Sequence, residues 1–394
     1  MPSRLAPRSS RPSDTFSPGV ASSGLLEPGE VRALRAAVQP AWSPLALPHN
    51  LTSGMVYDRV NLPWFNFGMD FGDNTWGFPP IRQNAQVAST LDQLHGLGIE
   101  DVITWTIPDG RNLQFTPDGT PAGLTPGFNE DLSAYLDLLS ARNMSGELVL
   151  IDGNTWFSPQ QTFGPVLVGG HGDVITDPTG QKEAAFDTNF VVPMLDTIKA
   201  WQASHPGKPG PVSGISLGNE LKYGVNKDPG HPDKNVTSEA QMQAFVQGRA
   251  ALVHRLLPGV PVTTGAVTPQ DMFDSWVDGK LSDNPAEQLD YYTFHHYGTE
   301  STGKLAQEFP WSKLSKKVYM GEFPGTPMPN GPGGVLDYME GVAGPHGDQS
   351  RAAAPDRFLT GAAMWAGRKV DPWSGGDPPA LLGNIQGWLA GEFR

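Results

Sequence analysis

A short apolar run, Val212-Ser-Gly-Ile-Ser-Leu-Gly-Asn219-Glu220, ends in a carboxylate. A second run further along the chain, Lys317-Val-Tyr-Met-Gly-Glu322-Phe323, also carries a glutamate near its end. Runs of this length, bounded by Gly and Pro, are typical of buried parallel strands. A carboxylate at the carboxyl end of such a strand adds little to core packing, but it lies on the face where α/β barrels build their sites. The two runs therefore predict a pair of carboxylates that face one site.

From about Asp58 onward, strand-like apolar runs alternate with amphipathic helical stretches, and eight such units can be counted. This alternation predicts an α/β fold, a (β/α)8 TIM barrel. The predicted strands are 60–67, 101–107, 147–151, 212–217, 261–267, 289–295, 317–321 and 362–366. The predicted helices are 86–97, 130–142, 183–202, 239–257, 272–279, 303–314, 355–359 and 379–393.

Composition divides the chain into two parts. Residues 1–50 are rich in Ser, Pro, Arg and Ala, which predicts a disordered or loosely packed extension. Residues 51–394 are predicted to form the barrel domain. The long loops of this domain, 70–80, 152–178, 223–235 and 326–349, all follow predicted strands, so we expect them to surround the site.

Charge and residue usage exclude several classes of function. The net charge of −14 argues against nucleic acid and anionic membranes as partners, whereas a neutral substrate such as a sugar is compatible with it. The chain has no cysteine, which excludes thiol nucleophiles, zinc thiolate sites and iron–sulfur clusters. Neither a transmembrane segment nor a secretory signal peptide is visible. We expect a monomer, and the localisation stays open, with secretion compatible with the sequence.

Asn219-Glu220 at the end of predicted strand four and Glu322 at the end of strand seven resemble the retaining glycoside hydrolases of clan A. Family 5, with its cellulases and mannanases, is the nearest type. Strand six ends Phe294-His295-His296-Tyr297-Gly298, which resembles the His-x-Tyr of that family, and strand eight carries a similar Met364-Trp365. The resemblance covers most of the chain from about residue 58.

This resemblance implies a hydrolase that cleaves β-linked oligo- or polysaccharides through two carboxylates. Glu220 would be the general acid and then the base, and Glu322 would be the nucleophile that forms a glycosyl-enzyme. Asn219 would bind the 2-hydroxyl of the sugar. The resemblance implies neither a metal nor an organic cofactor.

Further residues of the site follow from the same resemblance. Tyr297 would donate a hydrogen bond to the nucleophile, His295 would help to orient the acid/base, and Trp365 would form the floor of a sugar subsite. The segment 61–72 is dense in aromatic and amide side chains and resembles the first-strand region of some cellulase-like proteins in the clan. There Asn66 and Asp70 are candidates for binding sugar hydroxyls. Candidate stacking rings are Trp64, Trp76, Trp105, Trp156 and Trp373.

The sequence departs from the family pattern at two places. Family 5 usually places an Arg on or near strand two, but residues 102–107 contain none, so Arg82 or Arg111 would have to take its place. The family also often has a His after strand three, where this chain has Asp152-Gly-Asn154. These departures concern the exact family and substrate rather than the two carboxylates.

Three other interpretations are compatible with parts of the sequence. Residues 214–218 match the G-x-S-x-G pattern of serine esterases, although Ser216 falls inside a predicted strand rather than at a sharp turn. His295-His296 with nearby carboxylates is compatible with a metal-dependent barrel hydrolase, but the usual ligand spacings are missing. A non-catalytic carbohydrate-binding barrel would keep the tryptophans and tolerate loss of either glutamate.

Overall fold

A computed structural model of the chain describes residues 59–163, 166–225, 236–297, 309–324, 359–371 and 374. Within these residues, eight parallel strands close into a barrel, which confirms the predicted fold. The predicted extension at 1–50 and the predicted helix at 379–393 lie outside the described residues, as do residues 355–358 of the helix predicted at 355–359. Of the helix predicted at 303–314, residues 303–308 lie outside, and the described half contains only a 3-10 turn, Trp311–Lys313.

The described strands are numbered here in chain order. They are β1 (Arg59–Asn61), β2 (Asp101–Trp105), β3 (Leu113–Phe115), β4 (Pro121–Leu124), β5 (Ser145–Asp152), β6 (Gln161–Phe163), β7 (Val166–Val168), β8 (Val212–Asn219), β9 (Val262–Ala266), β10 (Tyr292–His295), β11 (Val318–Pro324) and β12 (Leu359–Trp365). Around the barrel the order is β1-β12-β11-β10-β9-β8-β5-β2, and β2 pairs with β1 to close it. Each of the eight predicted strands overlaps one of these barrel strands.

The described helices are α1 (Ala85–Gly96), α2 (Phe128–Ser140), α3 (Gly153–Trp156), α4 (Asp173–Thr176), α5 (Gln181–Phe186), α6 (Val192–Ser204), α7 (Glu239–Leu256) and α8 (Pro269–Ser275). A π-helical turn, Asp187–Val191, joins α5 to α6, so the single helix predicted at 183–202 is divided. Two antiparallel hairpins, β3–β4 and β6–β7, lie within the connections after β2 and β5 and were not predicted. Among the described helices, none is both long and apolar enough to cross a lipid bilayer.

Burial on both faces explains why the sequences of the barrel strands are continuous runs of apolar or small residues. All eight residues of β8 are buried, because one face packs on the helices and the other fills the barrel. The helix that follows, α7, begins with a capping box in which Ser238 and Gln241 exchange side-chain and backbone hydrogen bonds. The buried strand β8 contains no charged residue, and Glu220 is the first charged residue after it.

A buried ionic network joins the strands near their amino ends. Arg59 of β1 contacts Asp101 of β2 at 2.5 Å and Glu147 of β5 at 3.0 Å. The Tyr291 hydroxyl donates to Glu147 at 2.7 Å, and the Ser213 hydroxyl donates to Asp101 at 2.7 Å. The Arg59 guanidinium thus compensates the negative charge of two buried carboxylates, and these ion pairs connect strands β1, β2 and β5.

We expect Arg59→Met to lower the free energy of unfolding by about 3–5 kcal/mol, because two buried carboxylates would lose their counter-charge. Chemical denaturation measures this loss. Arg142→Met is the matched control: it removes an ion pair with the exposed Asp92, 2.8 Å away, and should cost much less. Adding Glu147→Gln to the Arg59→Met chain should recover part of the loss. Equal losses in the two single variants would contradict this account.

Candidate active site

The backbone fixes the position of Glu220. This residue has φ 51 and ψ 40, a left-handed conformation that non-glycine residues seldom adopt, and its N–H donates to the Gly265 carbonyl oxygen at 2.8 Å. Gly153, at the start of α3, approaches so closely that a Cβ there would lie 2.3 Å from the Glu220 carbonyl oxygen. The chain after β5 therefore packs directly on the main chain that carries Glu220.

Irregular pairing between β10 and β11 sets the direction of Glu322. The register between these strands shifts between Phe294 and His295, so that His295 pairs with Glu322. The N–H of His296 then donates to the Glu322 carbonyl oxygen at 3.0 Å. Such irregularities re-aim side chains at the mouths of barrels. Here the shift brings His295 and Glu322 together on the cavity side.

Four of the predicted site residues meet at the carboxyl ends of the strands. One carboxylate oxygen of Glu220, one of Glu322 and a ring nitrogen of His295 all lie within 4.8 Å of one another. His295 Nδ1 is 2.9 Å from Glu220 Oε1 and 3.4 Å from Glu322 Oε2. The Tyr297 hydroxyl donates to Glu322 Oε2 at 2.9 Å. The two carboxylates thus face each other at short range with an imidazole between them.

Burial and mutual repulsion control the protons of this cluster. Burial, together with the charge of Glu220, raises the pKa of Glu322 to about 8, although the neighbouring His295 and the Tyr297 hydrogen bond act in the opposite direction. Burial alone would lower the pKa of His295, but the charges of Glu322 and Glu220 raise it to about 8. Because the groups interact strongly, their protons belong to the cluster as a whole. The cluster therefore keeps a proton at neutral pH.

Asp152, at the end of β5, is a third buried carboxylate, and its role in the site was not predicted from the sequence. Its Oδ1 accepts a hydrogen bond from Asn219 Nδ2 at 3.2 Å. Its Oδ2 accepts from the Thr155 N–H at 2.9 Å and the Thr155 hydroxyl at 2.8 Å, which caps α3. Burial and the charge of Glu220 raise the pKa of Asp152 to about 6. Asp152 thus fixes the orientation of the Asn219 amide, and its position at a strand end was the signal that could have marked it.

Aromatic rings form one wall of a cavity of about 800 Å³ that contains both glutamates. Trp64 lies 5.0 Å from Trp105 and 5.7 Å from Trp365, measured between ring centroids. The Trp365 indole N–H donates to Asp371 at 2.8 Å, which holds that ring in place. Phe67 completes the wall. The polar part of the lining includes Asp152, Asn154, Thr155 and Asn219.

Two predicted binding residues do not line this cavity. Asp70 is buried and accepts hydrogen bonds from the N–H groups of Phe65 and Asn66 at 2.7 and 2.8 Å. Asn66 Nδ2 donates to the Pro79 carbonyl oxygen at 3.3 Å. Both side chains shape the turn after β1, so their polar character reflects local structure.

Other candidates are also placed away from the site. Arg82 contacts Asp131 and Arg111 contacts Asp109, so neither takes the place of the missing family arginine. Ser216 is buried within β8 with its hydroxyl directed to the Gly218 carbonyl oxygen at 3.3 Å, which does not match the sharp turn of a serine esterase. Trp156 is fully buried, and Trp76 lies outside the cavity. Trp373 lies outside the described residues.

No protein-family model matches the sequence, and no curated protein matches it. Solved structures do share its fold. An endo-1,4-β-mannanase from Eisenia fetida has 20% identity and a TM-score of 0.64, covering 85% of this chain and 91% of its own. A β-1,4-D-mannanase from Cryptopygus antarcticus has 16% identity and a TM-score of 0.61, covering 85% and 92%. A family 5 mannosidase from Rhizomucor miehei has 14% identity and a TM-score of 0.52, covering 87% and 94%. The predicted resemblance to this group is confirmed at the level of the fold.

We expect Glu322→Gln to stabilise the chain at about pH 9 and to have little effect at about pH 5. The pKa of Glu322 rises on folding from 4.5 to about 8, so folding favours its protonated form. That stabilisation is complete below the unfolded pKa and is lost as the pH rises through about 8. The amide stays neutral throughout, so the variant should unfold roughly 2–5 °C above the native chain at high pH.

Thermal unfolding followed at both pH values measures the difference. Glu130→Gln, which neutralises an exposed carboxylate at the start of α2, is the control and should show no such pH-dependent gain. A Glu322→Gln chain that is less stable than the native chain at both pH values would contradict the raised pKa.

Proposed function

We propose that this chain is a glycoside hydrolase that cleaves β-linked oligo- or polysaccharides with retention of configuration. The observation that carries the proposal is the approach of Glu220 and Glu322: one carboxylate oxygen of each lies within 4.8 Å of the other across the cavity. Retaining enzymes hold their carboxyl groups about 5–5.5 Å apart, whereas inverting enzymes need about 6.5–9.5 Å to admit a water molecule. The short separation favours the retaining mechanism.

In the first step, with substrate bound, the proton shared by the cluster lies on Glu220 and leaves Glu322 ionised. Glu220 gives this proton to the glycosidic oxygen while the Glu322 carboxylate attacks the anomeric carbon. The bond to the leaving sugar breaks, and a covalent ester to Glu322 forms. Glu220 Oε1 accepts the hydrogen bond of His295, which leaves Oε2 to carry the acidic proton. Tyr297 donates to Glu322 Oε2 and so stabilises the charged nucleophile before attack and after release.

In the second step, Glu220 takes a proton from a water molecule, which attacks the anomeric carbon and breaks the bond to Glu322. His295 lies against both glutamates, so its imidazole can stabilise whichever of the two carboxylates is charged. The Asn219 amide, oriented by Asp152, donates to the sugar 2-hydroxyl, a contact that strengthens in the transition state. The Trp365 ring stacks on the apolar face of the sugar.

A β-mannan is the first substrate to test, because the three solved proteins of similar fold reported above are named as two β-mannanases and a mannosidase. The aromatic wall and the open volume of the cavity fit a chain of sugars better than a single ring. A screen that includes glucan, xylan and galactan, with sizing of the products, identifies the sugar and the mode of cleavage. A non-catalytic carbohydrate-binding barrel is the alternative and predicts binding without products.

We expect Glu220→Ala and Glu322→Ala each to lower kcat for an aryl β-mannoside, or for the aryl β-glycoside of the sugar that the screen identifies. The loss should be at least about 10²–10⁴-fold, because each removes a group that takes part in bond making or breaking. Azide should partly rescue Glu322→Ala and yield the α-glycosyl azide, since it attacks from the face that Glu322 occupied. Product analysis by NMR determines the configuration.

Glu130→Ala, which removes an exposed glutamate outside the cavity, is the control and should keep native activity. Native turnover in either cavity variant, or a β-azide from Glu322→Ala, would overturn the assignment of roles.

Chelation separates this mechanism from a metal-dependent one. Glu220, His295 and Glu322 are close enough to ligate a divalent cation, so the two mechanisms compete for the same side chains. The two-carboxylate mechanism needs no ion, and we expect dialysis against EDTA to leave kcat/KM unchanged. Loss of activity that Zn²⁺ or Mn²⁺ restores would instead support the metal-dependent hydrolase.

A further inference from the structure

A row of aromatic side chains leads out of the cavity toward the surface. Phe67 lines the cavity beside Trp64, with ring centroids 4.9 Å apart. The Arg111 guanidinium lies 5.0 Å from the centroid of Phe67 and 5.8 Å from that of Trp76. Trp76 in turn meets the ring of Phe163, 6.0 Å away. A long ligand that fills the cavity and passes Phe67 therefore next meets Arg111 and Trp76.

The outer end of this row is open to solvent. Phe163 is 44% exposed at the end of β6, and Trp76 is half-buried in the loop after β1. Phe163 is one of three exposed large hydrophobic side chains in the described part of the chain. Exposed aromatic rings that continue a cavity mark binding surfaces more often than isolated ones do.

The loop that carries Trp76 is held by its own hydrogen bonds. Asn74 Oδ1 accepts from the N–H groups of Trp76 and Phe78, each at 3.2 Å, and Asn74 Nδ2 donates to the Phe78 carbonyl oxygen at 2.8 Å. Gly77, with φ 77, allows the chain to turn between them. The Trp76 ring is thus presented by a preformed turn, which lowers the entropy cost of binding.

We propose that Trp76 and Phe163, together the distal platform, form a carbohydrate subsite for sugar residues remote from the bond that is cleaved. The proposal rests on the function proposed above and extends it to a polymeric substrate. Indole and phenyl faces pack on the apolar C–H face of a pyranose. The exposed side chains of Gln161 and Thr162, on the same strand as Phe163, are available to the hydroxyl groups at the ring edge.

The charge beside the distal platform favours a neutral polymer. Arg111 is bound by Asp109 through its Nε at 2.9 and 3.0 Å and through Nη2 at 2.6 Å. Its positive charge is therefore already compensated, and an anionic polymer would gain little from it. Held by Asp109, the guanidinium instead fills the space between Phe67 and Trp76 and keeps the row continuous.

The test measures kcat/KM for Trp76→Ala and Phe163→Ala on β-1,4-linked manno-oligosaccharides of increasing length, or on the series that the substrate screen identifies. The loss should grow with length: less than about two-fold on a disaccharide and roughly five- to ten-fold on a hexasaccharide, mainly through KM. Phe78→Ala is the matched control, since its ring is 45% exposed in the same loop but lies outside the row. It should keep the native dependence on length.

An equal loss at every length, or none at all, overturns the distal platform while leaving the proposed function intact. Conversion of a dimer to a monomer by Trp76→Ala, without a length-dependent loss, would make this surface an interface between two copies and also overturns it. If the native chain hydrolyses no oligosaccharide, the proposed function fails.

Affinity electrophoresis in gels that contain soluble mannan, glucan, xylan or galactan then tests the distal platform separately. Slower migration of the native chain in one of these gels, abolished by Trp76→Ala and kept by Phe78→Ala, supports the distal platform. Unchanged migration of the native chain in all four gels overturns it.

Discussion

The ion pairs that Arg59 forms inside the barrel are the interactions on which the rest of the structure depends. Arg59 lies between Asp101 and Glu147 and ties together strands that are far apart in sequence. Burying two carboxylates without a cation would cost several kcal/mol each, so closure of the barrel at this end requires the guanidinium. With that end fixed, the opposite ends of the same strands can carry groups that do not stabilise the fold.

The cavity end shows the opposite balance of charge. Glu220, Glu322 and Asp152 converge there, and no Lys or Arg is present among the described residues that line the cavity. Burial and the charge of Glu220 raise the pKa values of Glu322 and Asp152, and the neighbouring His295 offsets part of this rise at Glu322. The barrel thus pairs its carboxylates with a cation at one end and leaves them to repel one another at the other. Carboxylates with pKa values perturbed in this way are typical of functional sites.

The sequence predicted most of the site residues that lie at strand ends, but it missed Asp152 at the end of β5. Glu220 and Glu322 follow buried runs, and His295 and Tyr297 alternate on one face, so periodicity together with the family resemblance was enough to bring them together. Residues whose role depends on contacts distant in sequence escaped prediction. Arg59 gives no local sign that it will meet Asp101 and Glu147. The hairpins β3–β4 and β6–β7 are too short for a clear pattern.

The turn after β1 shows how local composition can mislead. The apolar run at 60–67 predicts a long strand, but regular pairing ends at Asn61, and Asp70 then binds the N–H groups of the turn that follows. Asn66 and Asp70 look like ligands for sugar hydroxyls because a carboxylate and an amide serve either purpose. The sequence does not reveal whether such a group faces a ligand or its own backbone.

The contact between Gly153 and the main chain of Glu220 has a consequence for how this barrel can change. Because backbone contacts fix the main chain of Glu220, its position does not depend on the side chains of the surrounding loops. Substitutions in the cavity walls can then change which ligand fits the cavity without moving the main chain of Glu220. Position 153 itself admits almost no substitution, because a side chain there would meet the Glu220 carbonyl oxygen.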